Sequence, residues 1–320
     1  MQIFLIHLIN SFNLGGSTTY LIHLHEQFKL SGYDPIVLKV GKRKRTDYYY
    51  HVPVHYITEG EIIHIAKNNR CLITYCFWKD NATLCKKLIS LGVPLVMHDP
   101  AEFHEEWLKI ARSVNNTIVI REKNRKNLEE LGVQSTFIQH PYVRGAQKQP
   151  KSKFAINFTR VDFRKHTEIV CEYNEQHMQK IEIYGEVNRM MDFHKLQKKH
   201  PAWKENYHGK IPEVFGEQVK LVSQYEYAID LTAIASDGGG TQYCFLESWD
   251  AGSYLILNKQ WDTGQDSILK DGVNCLFVAD ANELAMVLNE KRKYDLRGVS
   301  AMLDYHHFEK VIPQYTKICG

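Results

Sequence analysis

Glu247 sits just inside an apolar stretch, Phe245-Leu246-Glu247, that follows three glycines, Gly238, Gly239 and Gly240, and a strand-like run beginning at Ile229. Strand, glycine turn and helix in that order let backbone N–H groups approach an anion at the positive end of a helix. A carboxylate one to two turns in can accept hydrogen bonds from sugar hydroxyls. Phosphate plus ribose is a nucleotide, and a plain surface turn is the alternative.

Other clusters carry reactive side chains. Asn13-Leu14-Gly15-Gly16-Ser17-Thr18 follows the first strand-like run. Glycine permits close backbone approach and Ser17 or Thr18 can cap a helix, so this loop either faces a phosphate or sugar or is a simple cap. It lacks GxGxxG spacing and the downstream acid of a dinucleotide site. Thr159-Arg160 follows another strand, with Lys165 five residues on. A guanidinium fork and an ammonium point charge suit a diphosphate; otherwise such a pair is a solvated face. His98-Asp99 directly follows Leu95 to Met97. Histidine there could donate to a substrate hydroxyl and aspartate could act as a base or stabilise positive charge, with Glu102 and His104 as alternatives. Lys42-Arg43-Lys44-Arg45, followed by Tyr48-Tyr49-Tyr50, is the dense basic block. It reads as a solvated loop or as a mobile segment that contacts phosphates and stacks on bases.

The elements that must position these residues alternate β and α, the pattern of parallel sheets with helices on both faces. Ile3 to Leu8 is continuously apolar, as a doubly covered strand should be. A helix is expected over Ser17 to Ser31, with Tyr20, Leu21, Leu24 and Phe28 on one face and Gly32 as its stop. Strands follow at Pro35 to Val40, Cys71 to Tyr75, Leu95 to Met97, Thr117 to Ile120 and Thr136 to Ile138. Gly145 to Lys153 is polar and aperiodic, a linker by composition. Beyond it the pattern restarts, with strands at Phe154 to Phe158, Lys180 to Tyr184, Tyr227 to Thr232, Tyr254 to Leu257 and Leu276 to Val278. The expectation is two Rossmann-like domains facing each other across a cleft, with ligands at the carboxyl ends of strands.

Composition narrows the class. The 320 residues are 44% hydrophobic and 24% charged, a globular chain long enough for two cores. No apolar run reaches the ~18 residues of a membrane span, and the start lacks the basic region and cleavage site of a secretory signal. A cytoplasmic protein without stable membrane association is expected. The cysteines at 71, 76, 85, 171, 244, 275 and 319 form no CxxC pair, which removes zinc and redox-motif readings and leaves reduced thiols. A net charge of +3 says little about partners unless it is concentrated locally.

Ser236-Asp-Gly-Gly-Gly-Thr through Glu247, then Asp250-Ala251-Gly252, then Asp271-GVNCLFV-Ala279-Asp280, resemble the carboxyl-domain signature of retaining GT-B glycosyltransferases of family four. The resemblance covers nearly the whole chain, including a terminal helix, Phe308 to Ile318, that in this fold crosses back to the first domain. It implies an α/β GT-B fold with an acceptor-side domain over 1–147 plus 305–320 and a nucleotide-sugar domain over 152–304. It implies transfer from a nucleotide diphosphate sugar, a UDP-sugar first, without a metal and by a monomer. On this resemblance Glu247 binds the donor ribose, Arg160 and Lys165 neutralise the diphosphate, and Gly15 and Gly16 face the phosphates from the other domain. Family members usually carry a second glutamate eight positions before the first. Here that position is Gly239, so Asp237 or the amides of Gly239, Gly240 and Thr241 take its role.

A closer likeness is to the phage enzymes that glucosylate hydroxymethylcytosine in duplex DNA. The basic block Lys42 to Arg45 after the second strand, the strand ending in His98-Asp99 and the closing Leu303-Asp-Tyr-His-His carry it. It implies a 5-hydroxymethylated pyrimidine as acceptor, Asp99 and His98 as catalytic residues, Lys42, Arg43, Lys44 and Arg45 on DNA, and a host-cytoplasm location. A glycan acceptor in cell-surface polysaccharide synthesis and a non-catalytic nucleotide-sugar-binding protein are the competing readings.

Overall fold

The computed structural model describes residues 1–9, 16–76, 78–98, 105–112, 116–212, 214–234, 241–264 and 268–320. Among them the chain divides into two compact units, one of residues 1–143 and 304–320, the other of 144–234 and 241–303.

The first unit is built on an eight-stranded sheet. Its strands are β1 (Gln2–Leu8), β2 (Asp34–Val40), β3 (Arg45–Tyr49), β4 (Val52–Ile57), β5 (Cys71–Cys76), β6 (Leu95–Met97), β7 (Thr117–Val119) and β8 (Ser135–Phe137), in the order β3-β4-β2-β1-β5-β6-β7-β8. Every pairing is parallel except β3 on β4. The continuous apolar run of β1 has the reason anticipated for it: residues 3 to 8 are all buried, with Phe4, Ile6 and Leu8 in one core beside Ile73, Leu95 and Met97. Each such side chain removed from water contributes about 1.5–3 kcal/mol.

Helix α1 (Gly16–Leu30) covers the opposite face with Tyr20, Leu21, Leu24 and Phe28, and ends at Gly32, whose φ of +80° suits a residue without a Cβ. Helices α2 (Glu59–Asn68), α3 (Trp78–Ser90), α4 (Glu105–Arg112) and α5 (Glu122–Glu130) connect the later strands. The sharpest helix start is that of α2, where Thr58 and Glu61 form a reciprocal capping box.

The second unit has a wholly parallel sheet in the order β10-β9-β11-β12-β13. Its strands are β9 (Lys153–Asn157), β10 (Ile181–Ile183), β11 (Tyr225–Asp230), β12 (Tyr254–Asn258) and β13 (Leu276–Val278). Helices α6 (Thr167–Gln176), α7 (Arg189–Met191), α8 (Gln197–Lys199), α9 (Glu217–Val222), α10 (Tyr243–Asp250), α11 (Ala281–Asn289) and α12 (Leu296–Leu303) complete it. The GVNCLFV motif is a turn leading into β13, and Asp280 then caps α11 by accepting from the N–H groups of Asn282 and Glu283, both at 2.9 Å.

The last helix, α13 (Phe308–Ile318), belongs to the first unit, as the fold resemblance implied. Tyr315 meets Tyr20 of α1 hydroxyl to hydroxyl at 2.6 Å. Buried Gln27 donates from one amide nitrogen to the Tyr142 carbonyl at 2.8 Å and the His306 carbonyl at 2.6 Å. These contacts satisfy buried backbone acceptors that would otherwise cost stability.

One expectation needs correction. The basic block is a loop only over Lys42 to Lys44: Arg45 opens β3, an edge strand, and the tyrosines that follow belong to a hairpin. Tyr49 is buried, Tyr50 turns the corner at φ +52°, and Tyr48 alone of the three is widely exposed, at 71%. The polar segment after Gly145 lacks helix and strand, yet it is fastened to the second unit. Asp250 accepts from the Gly145 N–H at 2.6 Å and pairs with Lys148 at 2.9 Å. The Lys151 ammonium donates to the Tyr225 carbonyl, the Ala251 carbonyl and the Ser253 hydroxyl.

All seven cysteines are free thiols. Among the described residues no helix is long and apolar enough to cross a membrane.

Candidate functional site

In the second unit, the candidate residues gather where β9 and β11 end and α10 begins. Asn157, the last residue of β9, donates to the Ile229 carbonyl at 3.0 Å and locks the two strand ends together. The chain then turns through Thr159 and exposed Arg160. Gly185 allows this turn: with φ at +135°, its hypothetical Cβ would stand 2.0 Å from the Thr159 carbonyl oxygen, so no larger residue fits.

Asp162 caps the single 3-10 turn Phe163–Lys165 by accepting from the Arg164 N–H at 3.2 Å, and Asn188 donates to its other oxygen at 3.0 Å. Burial opposes ionisation of Asp162, but these bonds and the charges of Arg160 and Lys165 outweigh it and hold the carboxyl below its usual range. Both predicted cations therefore act on one carboxylate.

His166, at φ +48°, swings the chain into α6 and leaves Lys165 reaching toward β11. Its ammonium donates to the Thr232 hydroxyl at 2.6 Å. Thr232 in turn is bound to Asp230, the fully buried last residue of β11, through its N–H at 2.9 Å and through its hydroxyl. The Cys244 thiol, in the first turn of α10, donates to the other Asp230 oxygen. Trp261 donates to the Thr232 carbonyl at 2.8 Å, and the Ala233 N–H to the Arg164 carbonyl at 2.6 Å. Loops after three strands are thus tied around Thr232.

Glu247 lies one helical turn beyond Cys244 and is 6% exposed. Among the described residues its carboxyl takes part in no hydrogen bond or ion pair. Burial, and next the neighbouring Asp250 charge, push it up to about 8. The Cys244 thiol is raised well above its ordinary value, by burial first and then by Asp230; Lys165 and Glu247 also act on it, with opposite signs. Lys165, Glu247 and Cys244 therefore share one small region, and the α10 terminus facing it has no side-chain cap on Gln242. Thr241 is buried just before that helix. Asp237, Gly239 and Gly240 lie outside the described residues.

In the first unit, Gly16 opens α1, while Gly15 lies outside the described residues. His98 is buried at the end of β6, its ring in edge contact with Tyr20 and Tyr75. Its Nε2–H donates to the Thr74 carbonyl at 2.8 Å, and its own carbonyl accepts from Arg121 at 3.1 Å. That nitrogen is part of the fold. Asp99, Glu102 and His104 lie outside the described residues.

Sequence reasoning missed the company His98 keeps. His7 contacts the Thr74 hydroxyl at 3.0 Å, His306 donates to the His140 carbonyl at 2.8 Å, and the Val143 N–H donates to His23 at 3.0 Å. Burial holds all four imidazoles down, His306 to about 4, His23 to about 3, and His7 and His140 well below their ordinary value. Asp230 and Thr232 were missed too, although a charged residue closing an apolar strand was a usable signal.

In the bend before β3 and at its first residue the basic side chains are unequal. Lys44 pairs with Glu61, and Arg45 pairs with Asp47 at 3.2 Å while lying 4.2 Å over the Tyr56 ring. Lys42 and Arg43 are exposed. Among the described residues no group of three or more histidine, cysteine or acidic side chains is placed to hold a metal ion.

No protein-family model matches the chain, and no curated protein matches it. Solved structures do. Alr3699/HepE of Anabaena in complex with UDP is 14% identical, with a TM-score of 0.73 over 99% of both chains. An α-glucosyltransferase in complex with UDP and a 13-mer DNA containing an HMU base is 10% identical, with a TM-score of 0.70 over 99% of both. The pneumococcal O-GlcNAc transferase GtfA, in complex with UDP and GlcNAc, is 10% identical, with a TM-score of 0.71 over 100% of this chain and 98% of its own. At such identities the likeness carries the fold. The chain has the two-part α/β fold of GT-B glycosyltransferases.

Proposed function

We propose that the protein is a glycosyltransferase that takes a sugar from a UDP-linked donor, retains its anomeric configuration, and delivers it to a 5-hydroxymethylated pyrimidine in duplex DNA. The observation that carries the nucleotide reading is Glu247: a buried carboxyl without an internal partner among the described residues, one helical turn from the Cys244 thiol on which Lys165 also acts. A buried acceptor left unsatisfied costs stability and is kept where a ligand supplies the donors. Vicinal ribose hydroxyls are such donors.

In this reading Arg160 and Lys165 bind the diphosphate and stabilise the charge that builds on it as the glycosidic bond breaks, the kind of electrostatic term that usually dominates. The α10 terminus, with Thr241 and the amides of Gly239 and Gly240, adds N–H donors, and Asp237 stands nearest the missing second glutamate. Gly15 and Gly16 approach the phosphates. The acceptor hydroxyl attacks from the face the phosphate leaves, through an oxocarbenium-like state. Asp99 orients it or stabilises that charge, and His98 helps shape its pocket. The base must leave the duplex to reach such a site.

The similar structure solved with HMU-containing DNA supports the DNA acceptor, as do exposed Lys42 and Arg43 in the bend before β3. A second reading, a protein or saccharide acceptor, draws on the internal pairing of Lys44 and Arg45, which leaves fewer cations for phosphates, and on the similarity to GtfA. Release of free UDP from a panel of UDP-sugars, with hydroxymethylated DNA, unmodified DNA, peptides and oligosaccharides in parallel, separates them. Release that requires hydroxymethylated DNA is expected. Release only with peptide or saccharide acceptors sinks the DNA proposal, and none with any acceptor sinks the transferase itself.

A further inference from the structure

We infer that Thr232 and Asp230 are positioning residues for the Lys165 ammonium, an assignment that rests on the reading of Lys165 as a diphosphate ligand. Asp230 closes β11, the central strand of its sheet, and is fully buried. A carboxylate in that place is tolerated when its oxygens are satisfied by donors. Three groups do so: the Thr232 N–H, the Thr232 hydroxyl and the Cys244 thiol. Among the described residues none of them is a cation in direct contact.

The direction of the chain of hydrogen bonds follows from proton counting. A threonine hydroxyl has one proton and two lone pairs, and a carboxylate only accepts. The Thr232 proton is therefore spent on Asp230, which turns the hydroxyl's lone pairs to Lys165, 2.6 Å away. Both links are charge-assisted, one at the ammonium and one at the carboxylate, and each polarises the other.

An ammonium has three donors on a flexible four-carbon stem. One is fixed by Thr232, and among the described residues the other two meet no acceptor. The side chain is thus anchored at one corner with two protons left for phosphate oxygens. Thr232 can serve as the anchor because Trp261 holds its carbonyl and the Ala233–Arg164 bond ties its loop to the turn bearing Lys165. Cys244 fastens the start of α10 to the same carboxylate, so Asp230 also sets where the turn leading to Glu247 begins.

Thr232→Val keeps the β-branched shape and removes the hydroxyl alone; Thr232→Ser restores it. Affinity for UDP and for uridine, measured by NMR titration on the full chain beside the thermal midpoint, tests the assignment. The expected result is a loss of about tenfold in UDP affinity for Thr232→Val, the scale of one charge-assisted bond, with uridine unchanged and Thr232→Ser near wild type. Equal UDP affinity in Thr232→Val overturns the inference. So does a parallel loss for UDP and uridine, which would mark a structural role. A wild-type protein that binds UDP no better than uridine overturns the diphosphate reading itself, and the positioning role with it.

Discussion

If Glu247 receives the ribose, as proposed, nucleotide binding becomes a proton-linked event. Its carboxyl is pushed up to about 8 by burial, and then by Asp250, so it is neutral in the empty site at pH 7. Two vicinal hydroxyls donating to one carboxyl group need both of its oxygens as acceptors. A carboxylate offers both; a carboxylic acid keeps a proton on one. Ribose binding therefore favours the ionised form and drives the proton off.

If the bound carboxyl returns toward its ordinary range, binding at pH 7 releases about 0.9 of a proton and at pH 9 about 0.1, and UDP affinity rises about tenfold between those pH values. Calorimetric titration of UDP in buffers of different ionisation enthalpy reads the released proton directly. Glu247→Gln, neutral and of the same shape, is expected to abolish both the buffer dependence and the pH slope. The same carboxyl acts on the empty protein in the reverse sense. Its folded value lies above the unfolded 4.5, so its stabilising contribution is complete below pH 4.5 and fades as pH rises through 8. Proton release of equal size in wild type and Glu247→Gln, or none in wild type, would refute the reasoning.

Arg160→Ala should lower donor turnover at least tenfold, read as UDP release, since an exposed guanidinium there has the diphosphate as its main expected partner; unchanged kinetics would remove it from the site. In the bend before β3, Lys42 and Arg43 should carry the DNA contacts that Lys44 and Arg45, paired internally, cannot. The double change Lys42→Gln and Arg43→Gln is then expected to reduce the slope of log affinity against log salt by about 2, and an unaltered slope would place DNA elsewhere. The buried imidazoles of His7, His23, His140 and His306 are held below 6.5, so the stability they confer is intact above that value and is lost as pH falls toward 4, by up to about 1.4 kcal/mol per histidine per pH unit. Urea midpoints should drop between pH 7 and pH 5, with a shallower drop in His306→Gln; coincident midpoints would contradict this. Gln27→Leu should cost about 1–3 kcal/mol in chemical denaturation by removing the amide's bonds to the buried Tyr142 and His306 carbonyls, the second of which keeps the Tyr142 N–H, and a cost near zero would mean water replaces the amide.

The alternation of apolar runs was enough to find eleven of the thirteen described strands within a few residues, because a doubly covered parallel strand writes its burial directly into β1, β9 or β12. The hairpin β3–β4 escaped for a physical reason. Its outer strand is an edge with four exposed positions in five, and the inner one contains Pro53, which reads as a break in a strand pattern. Charge then masked pairing: Lys44 and Arg45 looked like a free basic surface, although Arg45 pairs with Asp47 two residues on in the same strand and Lys44 with Glu61 on α2, whose approach the sequence does not write.

The site divides along the same line. Glu247 stood out from its residue type just inside a helix expected after three glycines, but its surroundings did not. Its chemistry depends on Asp250, three positions on, and both carboxyls are buried in one short helix. Their partners tell them apart. Asp250 holds the Gly145 N–H and the Lys148 ammonium, two groups from a segment more than a hundred residues earlier, and so fastens the chain where the second unit begins. Glu247 holds nothing of the described protein and bears the cost of its neighbour's charge. An acid that closes the fold and an acid that nothing in the described protein satisfies look alike in sequence; only the long-range contacts that satisfy the first expose the second.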